Sequence, residues 1–184
     1  MKDYLYFIAV VPEEENLRVA LHQLKLEIST TYSTYHALKS PPHITLQRPF
    51  KRDESFEKEI LTALKKFAAS QTPFNVLLKG YGAFPPKVLY LKIDDHTPFE
   101  SIHQELNLVL KHQLRFSDKE LNTKIHPHLT LAHRDLDEKN FSRAWKKFKS
   151  FKFEAAFTAQ NVYLLKHNGE NWNIHKKFPL GIKE

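Results

Sequence analysis

Pro42-His43-Ile44-Thr45-Leu46 and Pro127-His128-Leu129-Thr130-Leu131 are two copies of one pattern: proline, histidine, an apolar residue, threonine, leucine. In a β-strand, residues two apart share a face. Read as strands, the copies turn Ile44, Leu46, Leu129 and Leu131 toward a core. His43 with Thr45, and His128 with Thr130, then line the opposite face. Two His-Thr pairs are left facing something that is not core, and what they face decides the function.

The segments around the copies give them a frame. Tyr4 to Val11 is rich in β-branched and aromatic residues, which suits a strand covered on both faces. It is short and ends in Pro12-Glu13-Glu14-Glu15 with no small-residue cleavage site, so it reads as a first strand rather than a signal peptide. Proline followed by acids starts a helix well, and Leu17, Ala20, Leu21, Leu24 and Ile28 supply its apolar stripe. Ser29 to Pro42 is polar and reads as a loop delivering the first motif strand, His43 to Arg48, which stops at Pro49. A second helix carries Phe56, Ile60, Leu64, Phe67 and Ala68 on one stripe.

Phe74 to Lys79 and Val88 to Ile93 read as strands joined by the turn-rich stretch from Gly80 to Pro86. Thr97-Pro98-Phe99-Glu100 has a capping-box pattern and opens a helix that turns Phe99, Ile102, Leu106, Val109 and Leu110 inward. A short loop leads to the second motif strand, about His126 to His133. Asp135 with Glu138 then starts a helix carrying Phe141, Ala144, Trp145 and Phe148. Three strands follow, Phe153 to Phe157, Val162 to Lys166 and Trp172 to Phe178, with a turn at Asn168-Gly169 between the last two.

Each half therefore runs strand, helix, motif strand, helix. The expected class is α+β, or α/β in two lobes, with mainly antiparallel sheets, helices outside and sheet faces turned inward. If a pseudo-two-fold relates the halves, the His-Thr pairs face each other across a central cleft. A chain of 184 residues, 41% hydrophobic and 27% charged, suits one globular domain, residues 1–184, of two lobes. No apolar stretch has the length of a membrane span, so no membrane partner is expected. Cysteine is absent, which excludes disulfides and thiol nucleophiles and suits a cytoplasmic home. A net charge of +7 favours anionic partners, nucleic acid among them.

Histidine is the side chain whose ordinary pKa lies nearest physiological pH, so two of them around a substrate can act as general base and general acid. A threonine hydroxyl donates to an anionic oxygen without adding charge, and two such donors near phosphorus stabilise oxygens on which charge builds up. Attack on a phosphodiester needs one proton taken and one given. Two histidines and two threonines suffice for that without a metal.

The doubled motif resembles the 2H phosphoesterase superfamily, and the chain is similar to its bacterial 2′-5′ RNA ligase-like branch in particular. Phe7-Ile8-Ala9 is similar to that family's first strand. Gly82-Ala83-Phe84-Pro85 with Val88-Leu89-Tyr90-Leu91 is similar to its central hairpin. The resemblance implies a bilobal fold with a central cleft, His43 and His128 as the acid–base pair, and Thr45 and Thr130 as phosphate donors. It implies action on 2′,3′-cyclic phosphates or 2′-5′ phosphodiesters, without metal or other cofactor. By the same resemblance, the first-motif histidine is expected to protonate the leaving oxygen in hydrolysis and the second to activate water, with the roles exchanged in the ligating direction. Many relatives place an arginine five residues after the second histidine, where this chain has His133 followed by Arg134. By strand parity Arg134 shares a face with His128 and is the arginine candidate for substrate binding, whereas Arg48 lies opposite His43. Phe7 and Phe84 are the candidates for stacking a base.

Three rival readings keep a place. The chemistry can run backward as RNA 2′-5′ ligation. The chain can be an RNA-binding module without catalysis. His126 and His128, two apart on a strand, can begin a metal site, although no carboxylate accompanies them at a suggestive spacing. The expected partner is an RNA or nucleotide carrying a cyclic phosphate or 2′-5′ linkage, met by a monomer.

Overall fold

The computed structural model describes residues 2–182. Its strands are β1 (Asp3–Val10), β2 (Ile44–Asp53), β3 (Phe74–Phe84), β4 (Val88–Ile93), β5 (His128–Ala132), β6 (Glu154–Ala159), β7 (Asn161–His167) and β8 (Trp172–Pro179). Its helices are α1 (Glu15–Tyr32), α2 (Phe56–Ser70), α3 (Thr97–His112) and α4 (Glu138–Phe148). The strands form one sheet in the order β6-β3-β4-β5-β2-β1-β7-β8, and neighbours pair antiparallel throughout. The class is α+β.

Topology supplies the expected pseudo-symmetry. β1–α1–β2 and β4–α3–β5 are the same unit, and each is widened by two further strands, β7 and β8 on one side, β3 and β6 on the other. The two halves meet where β2 lies beside β5, and there a single pair, Ile44 opposite Leu129, is in register. β1 and β2 share seven such pairs, so the central seam is where the sheet comes apart and opens.

All four helices cover one face of the sheet. Tyr6, Ile8 and Val10, Ile44 and Leu46, Leu89 and Leu91, and Leu129 and Leu131 join helix residues such as Leu21, Ile60, Leu106 and Phe141 in one apolar core. The helices cross over: α1 packs beside β5 and α4, while α3 packs beside β2 and α2. Each half is thus roofed partly by the other. None of these four helices covers the opposite face. Phe7, Ala9 and Val11 are covered there by Tyr163, Leu165 and Trp172, which is how β1 becomes buried on both sides.

Several local expectations are corrected. On α1, Ala20 is exposed while Lys25, Ser29 and Tyr32 are buried. The helix runs on through Ser29–Tyr32 and ends at Ser33, whose φ of 54° breaks it. The expected loop then holds one turn of 3-10 helix, His36–Lys39. β2 continues through Pro49, and β3 through Gly80 to Phe84, because bulges absorb the irregular residues. Thr97 forms no capping box; the Asp95 carboxylate accepts its N–H at 2.9 Å instead. Asp137, not Asp135, caps α4 by accepting from the Asn140 N–H. The connection from α3 to β5 spans residues 113–127 and is not short.

Candidate active site

The open face of the sheet holds a cleft of about 830 Å³ at the seam. Phe7, His43, Thr45, Phe84, His128, Thr130 and Arg134 all line it, so every residue singled out from the sequence arrives at one place. The Ile44–Leu129 pair explains how. Both residues are fully buried in the core, so their chain neighbours point the other way. In antiparallel register His43 and Thr130 flank this pair on one side, Thr45 and His128 on the other. The two motifs are thus related by a pseudo-dyad that passes through the seam.

Each histidine is held alike. His43 Nδ1 lies 2.7 Å from the Pro41 carbonyl oxygen, and His128 Nδ1 lies 2.7 Å from that of His126. A carbonyl only accepts, so Nδ1 carries the hydrogen and Nε2 is the nitrogen left for chemistry. Burial lowers the pKa of both rings against the opposing pull of those carbonyls. It brings His43 down to about 4, assisted by the positive charges of Lys25, His133 and His128. His128 is also held below its ordinary value, by burial and by His126.

Strand parity fails just beyond each motif, and in the same sense. Thr45 pairs with Ala9, Gln47 with Ile8 and Phe50 with Tyr6, so β2 carries two residues more than β1 over this span. Gln47 joins Leu46 in burial, and Arg48 comes round to the cleft. On β5, Thr130 pairs with Tyr90 and Ala132 with Leu89, again with an extra residue. Leu131 and Ala132 are both buried, and His133 comes round to the cleft. The fifth residue after each histidine therefore faces the cleft, Arg48 in one half and His133 in the other. The expectation that Arg48 faces away is overturned by the bulge. Its guanidinium is committed, however: Nε donates to the Glu120 carbonyl at 3.3 Å and Nη2 to that of Lys119. Arg134 reaches the rim because its backbone leaves the strand with φ 64°, and among the described residues no carboxylate pairs with its side chain.

The walls are aromatic. Phe84, 36% exposed, lies 4.5 Å from Tyr90 and 5.2 Å from His128 between ring centroids. Tyr90 fits across β3 because Gly82 stands opposite; a Cβ there would lie 2.5 Å from Tyr90 Cζ. Phe7 differs from expectation. It is 3% exposed, with its ring 4.8 Å from His43 and 4.7 Å from Trp172, so it backs the histidine and has no free face for a base. Trp172 is the half-buried ring that faces the cleft on that side, packed 4.8 Å from His167.

Sequence reasoning gave no site role to His36, whose ring meets His133 at 4.8 Å, or to Asp135, which it read only as a helix start. Asp135 accepts from Thr34 Oγ1 at 2.7 Å and from the N–H groups of Tyr35 and His36 at 2.7 and 2.9 Å, tying the end of α1 to the end of β5. Burial, then the positive charge of His36, brings His133 down to about 4. Only the spacing from His128 could have pointed to His133. The rings of His126 and His128 stand 6.1 Å apart, and no group of three His, Cys, Asp or Glu side chains among the described residues is placed to hold a metal ion.

Fold and cleft together define a class: an antiparallel α+β sheet whose two halves each bring a His-x-Thr strand to a shared seam. The same fold occurs in TT0787 of Thermus thermophilus, with a TM-score of 0.71 and 21% identity over 98% of this chain and 100% of that one. It occurs again in Escherichia coli LigT complexed with 3′-AMP, with a TM-score of 0.65 and 14% identity over 99% of this chain and 100% of that one. A Geobacillus kaustophilus protein named "Putative phosphoesterase" is 29% identical over 157 residues, which is 83% of this chain and 86% of the relative. An Oceanobacillus iheyensis protein of the same name is 26% identical over 179 residues, 96% of this chain and 98% of the relative. The family model for the 2′-5′ RNA ligase superfamily matches residues 13–171, and the chain belongs to that superfamily. No helix among the described residues is long and apolar enough to cross a membrane.

Proposed function

We propose that this protein is a metal-independent phosphodiesterase that opens 2′,3′-cyclic phosphates at the ends of RNA or on nucleotides. The observation that carries the reading is the matched presentation of the two motifs: two imidazoles, each braced at Nδ1 by a carbonyl, with a threonine from the opposite motif beside each. In hydrolysis one Nε2 takes a proton from water as its oxygen bonds to phosphorus. The other Nε2 gives a proton to the ribose oxygen as its bond to phosphorus breaks. A phosphomonoester is left, and the pair ends with its proton exchanged. Thr45 and Thr130 donate to the non-bridging oxygens, where charge builds in the transition state.

The surroundings suit a nucleotide. The cleft volume lies in the range that encloses a whole ligand rather than a phosphate alone. Lys39, Arg48 and Arg134 on its walls outnumber Glu170, which favours an anion. Phe84 and Trp172 offer rings to a base. Escherichia coli LigT, which shares the fold, has been seen with 3′-AMP.

The test is a panel of nucleoside 2′,3′-cyclic phosphates, RNA ended by a cyclic phosphate, and 2′-5′ dinucleotides, each assayed with and without chelator. The expected result is turnover unaffected by chelator and nearly abolished by His43→Ala or His128→Ala in folded protein. RNA binding without turnover by the wild type would instead identify a binding module. Activity lost to chelator and restored by zinc would identify a metal enzyme.

A further inference from the structure

The two histidines share the same brace at Nδ1 but not what lies behind it. Behind His43 lies a buried lysine; among the described residues no other lysine or arginine is buried, so none stands behind His128. Lys25 occupies the apolar stripe of α1, one turn from Leu21 and Ile28, and is 1% exposed. Its Nζ donates to the Ser40 carbonyl at 2.8 Å. The next residue, Pro41, supplies the carbonyl that holds His43 Nδ1. Among the described residues no carboxylate is within ion-pair reach of Nζ. An ammonium buried with one neutral partner costs several kcal/mol relative to water, so a hydrocarbon side chain would serve the helix better.

We propose that Lys25 is a positioning residue for the first motif: its ammonium fixes the Ser40–Pro41 segment that aims His43, and it places a buried positive charge behind that segment. The reading rests on His43 and His128 acting as the acid–base pair. Of the other groups at this corner, His133 at the end of β5 acts on His43 in the same sense as Lys25; His36 and Lys39 of the 3-10 turn and Arg134 line the same cleft. Asp135, the nearby acid, has both oxygens engaged by Thr34, Tyr35 and His36. On the side of α4, Glu27 is paired with Lys147 at 3.7 Å. Burial lowers Lys25 to about 8, so it is still mostly charged at neutral pH. Burial of the His43 ring first, with the Lys25 charge adding to it, disfavours a proton on His43.

Titration of the histidine ring signals by NMR in wild type and in Lys25→Met tests this without any substrate. Its outcome therefore stands apart from whether cyclic phosphates are turned over. In Lys25→Met the His43 midpoint is expected to rise by on the order of half a pH unit while His128 stays within about a tenth. The protein should fold at least as stably as wild type, because a well-fitting apolar side chain replaces a buried charge. If turnover is seen, kcat falls about tenfold or more with KM little changed, and the limb of the pH profile that His43 sets moves upward. Lys25→Arg, which keeps a charge, should leave the His43 midpoint near its wild-type place. An unmoved His43 midpoint in Lys25→Met overturns the proposal. So does a Lys25→Met protein that unfolds, or a Lys25→Arg protein whose His43 titrates at its ordinary value.

Discussion

Nε2 of His43 and Nε2 of His128 are each free because a carbonyl two residues upstream holds the other ring nitrogen. That brace depends on backbone conformation just before each strand, where proline precedes the histidine in both copies. The chemistry is therefore sensitive to small changes at single side chains. Thr45→Val and Thr130→Val keep shape and remove one donor each; each should lower kcat on the order of 10²–10³-fold with folding unchanged, as measured by steady-state kinetics and circular dichroism. The pH profile of kcat/KM should be a bell lying on the acid side of 6.5. The base must be neutral, so rate falls as pH drops through the lower midpoint. The acid must be protonated, so rate falls as pH rises through the upper one. Both histidines are held below their ordinary value. An alkaline limb above 7 in kcat/KM would contradict this. Bound phosphate favours imidazolium, so the kcat profile should lie at higher pH than that of kcat/KM.

At the scale of strands and helices, alternation is the rule the sequence displays and bulges are the exceptions it hides. His43, Thr45, His128 and Thr130 were legible because β2 and β5 are regular over those residues. Arg48 and His133 were not, because their facing depends on how many residues the partner strand spends over the same length. Register is a property of two strands, and neither strand encodes it alone. Phe7 was read as a stacking platform for the same reason: its burial is due to Trp172, more than 160 residues later in the chain. The hairpin of β3 and β4 gives a direct check. Gly82→Ala would set a methyl against the Tyr90 ring and should destabilise the protein by about 1–3 kcal/mol, read from the midpoint of denaturant unfolding. Tyr90→Ala in the same background should relieve most of that added penalty, since the two positions are in contact.

Across the whole molecule, the halves are held at their seam by one register pair and by helices that cross over. Ile44→Ala and Leu129→Ala remove fully buried side chains at that pair and should each cost about 2–5 kcal/mol. A double variant costing much less than the two single losses together would report their mutual contact. Within one half, α2 is tied to the sheet by a single carboxylate. Glu57 of α2 accepts from Tyr6 of β1 at 2.8 Å, from Lys166 of β7 at 2.6 Å and from His175 of β8 at 2.8 Å. Burial alone would raise the Glu57 pKa; the hydrogen bonds from Lys166, Tyr6 and His175 outweigh it and bring the group from 4.5 down to about 2. A carboxylate lowered on folding stabilises the fold above its unfolded pKa and loses that contribution as pH falls. Glu57→Gln should thus cost on the order of 2 kcal/mol at pH 7, and the stability curves of variant and wild type should converge between pH 4.5 and about 2.

The sequence by itself determined the antiparallel α+β class, most of the strands and helices, and the two His-x-Thr pairs. Those features rest on local periodicity, which a chain carries wherever it folds. Only the tertiary structure decided which residues beyond the motifs face the cleft, that Trp172 rather than Phe7 presents a ring to it, and that a lysine sits inside the apolar stripe of α1. Each of these depends on contacts between segments far apart in the chain. A lysine among charged neighbours looks like solvated surface until the Ser40 carbonyl is brought against it.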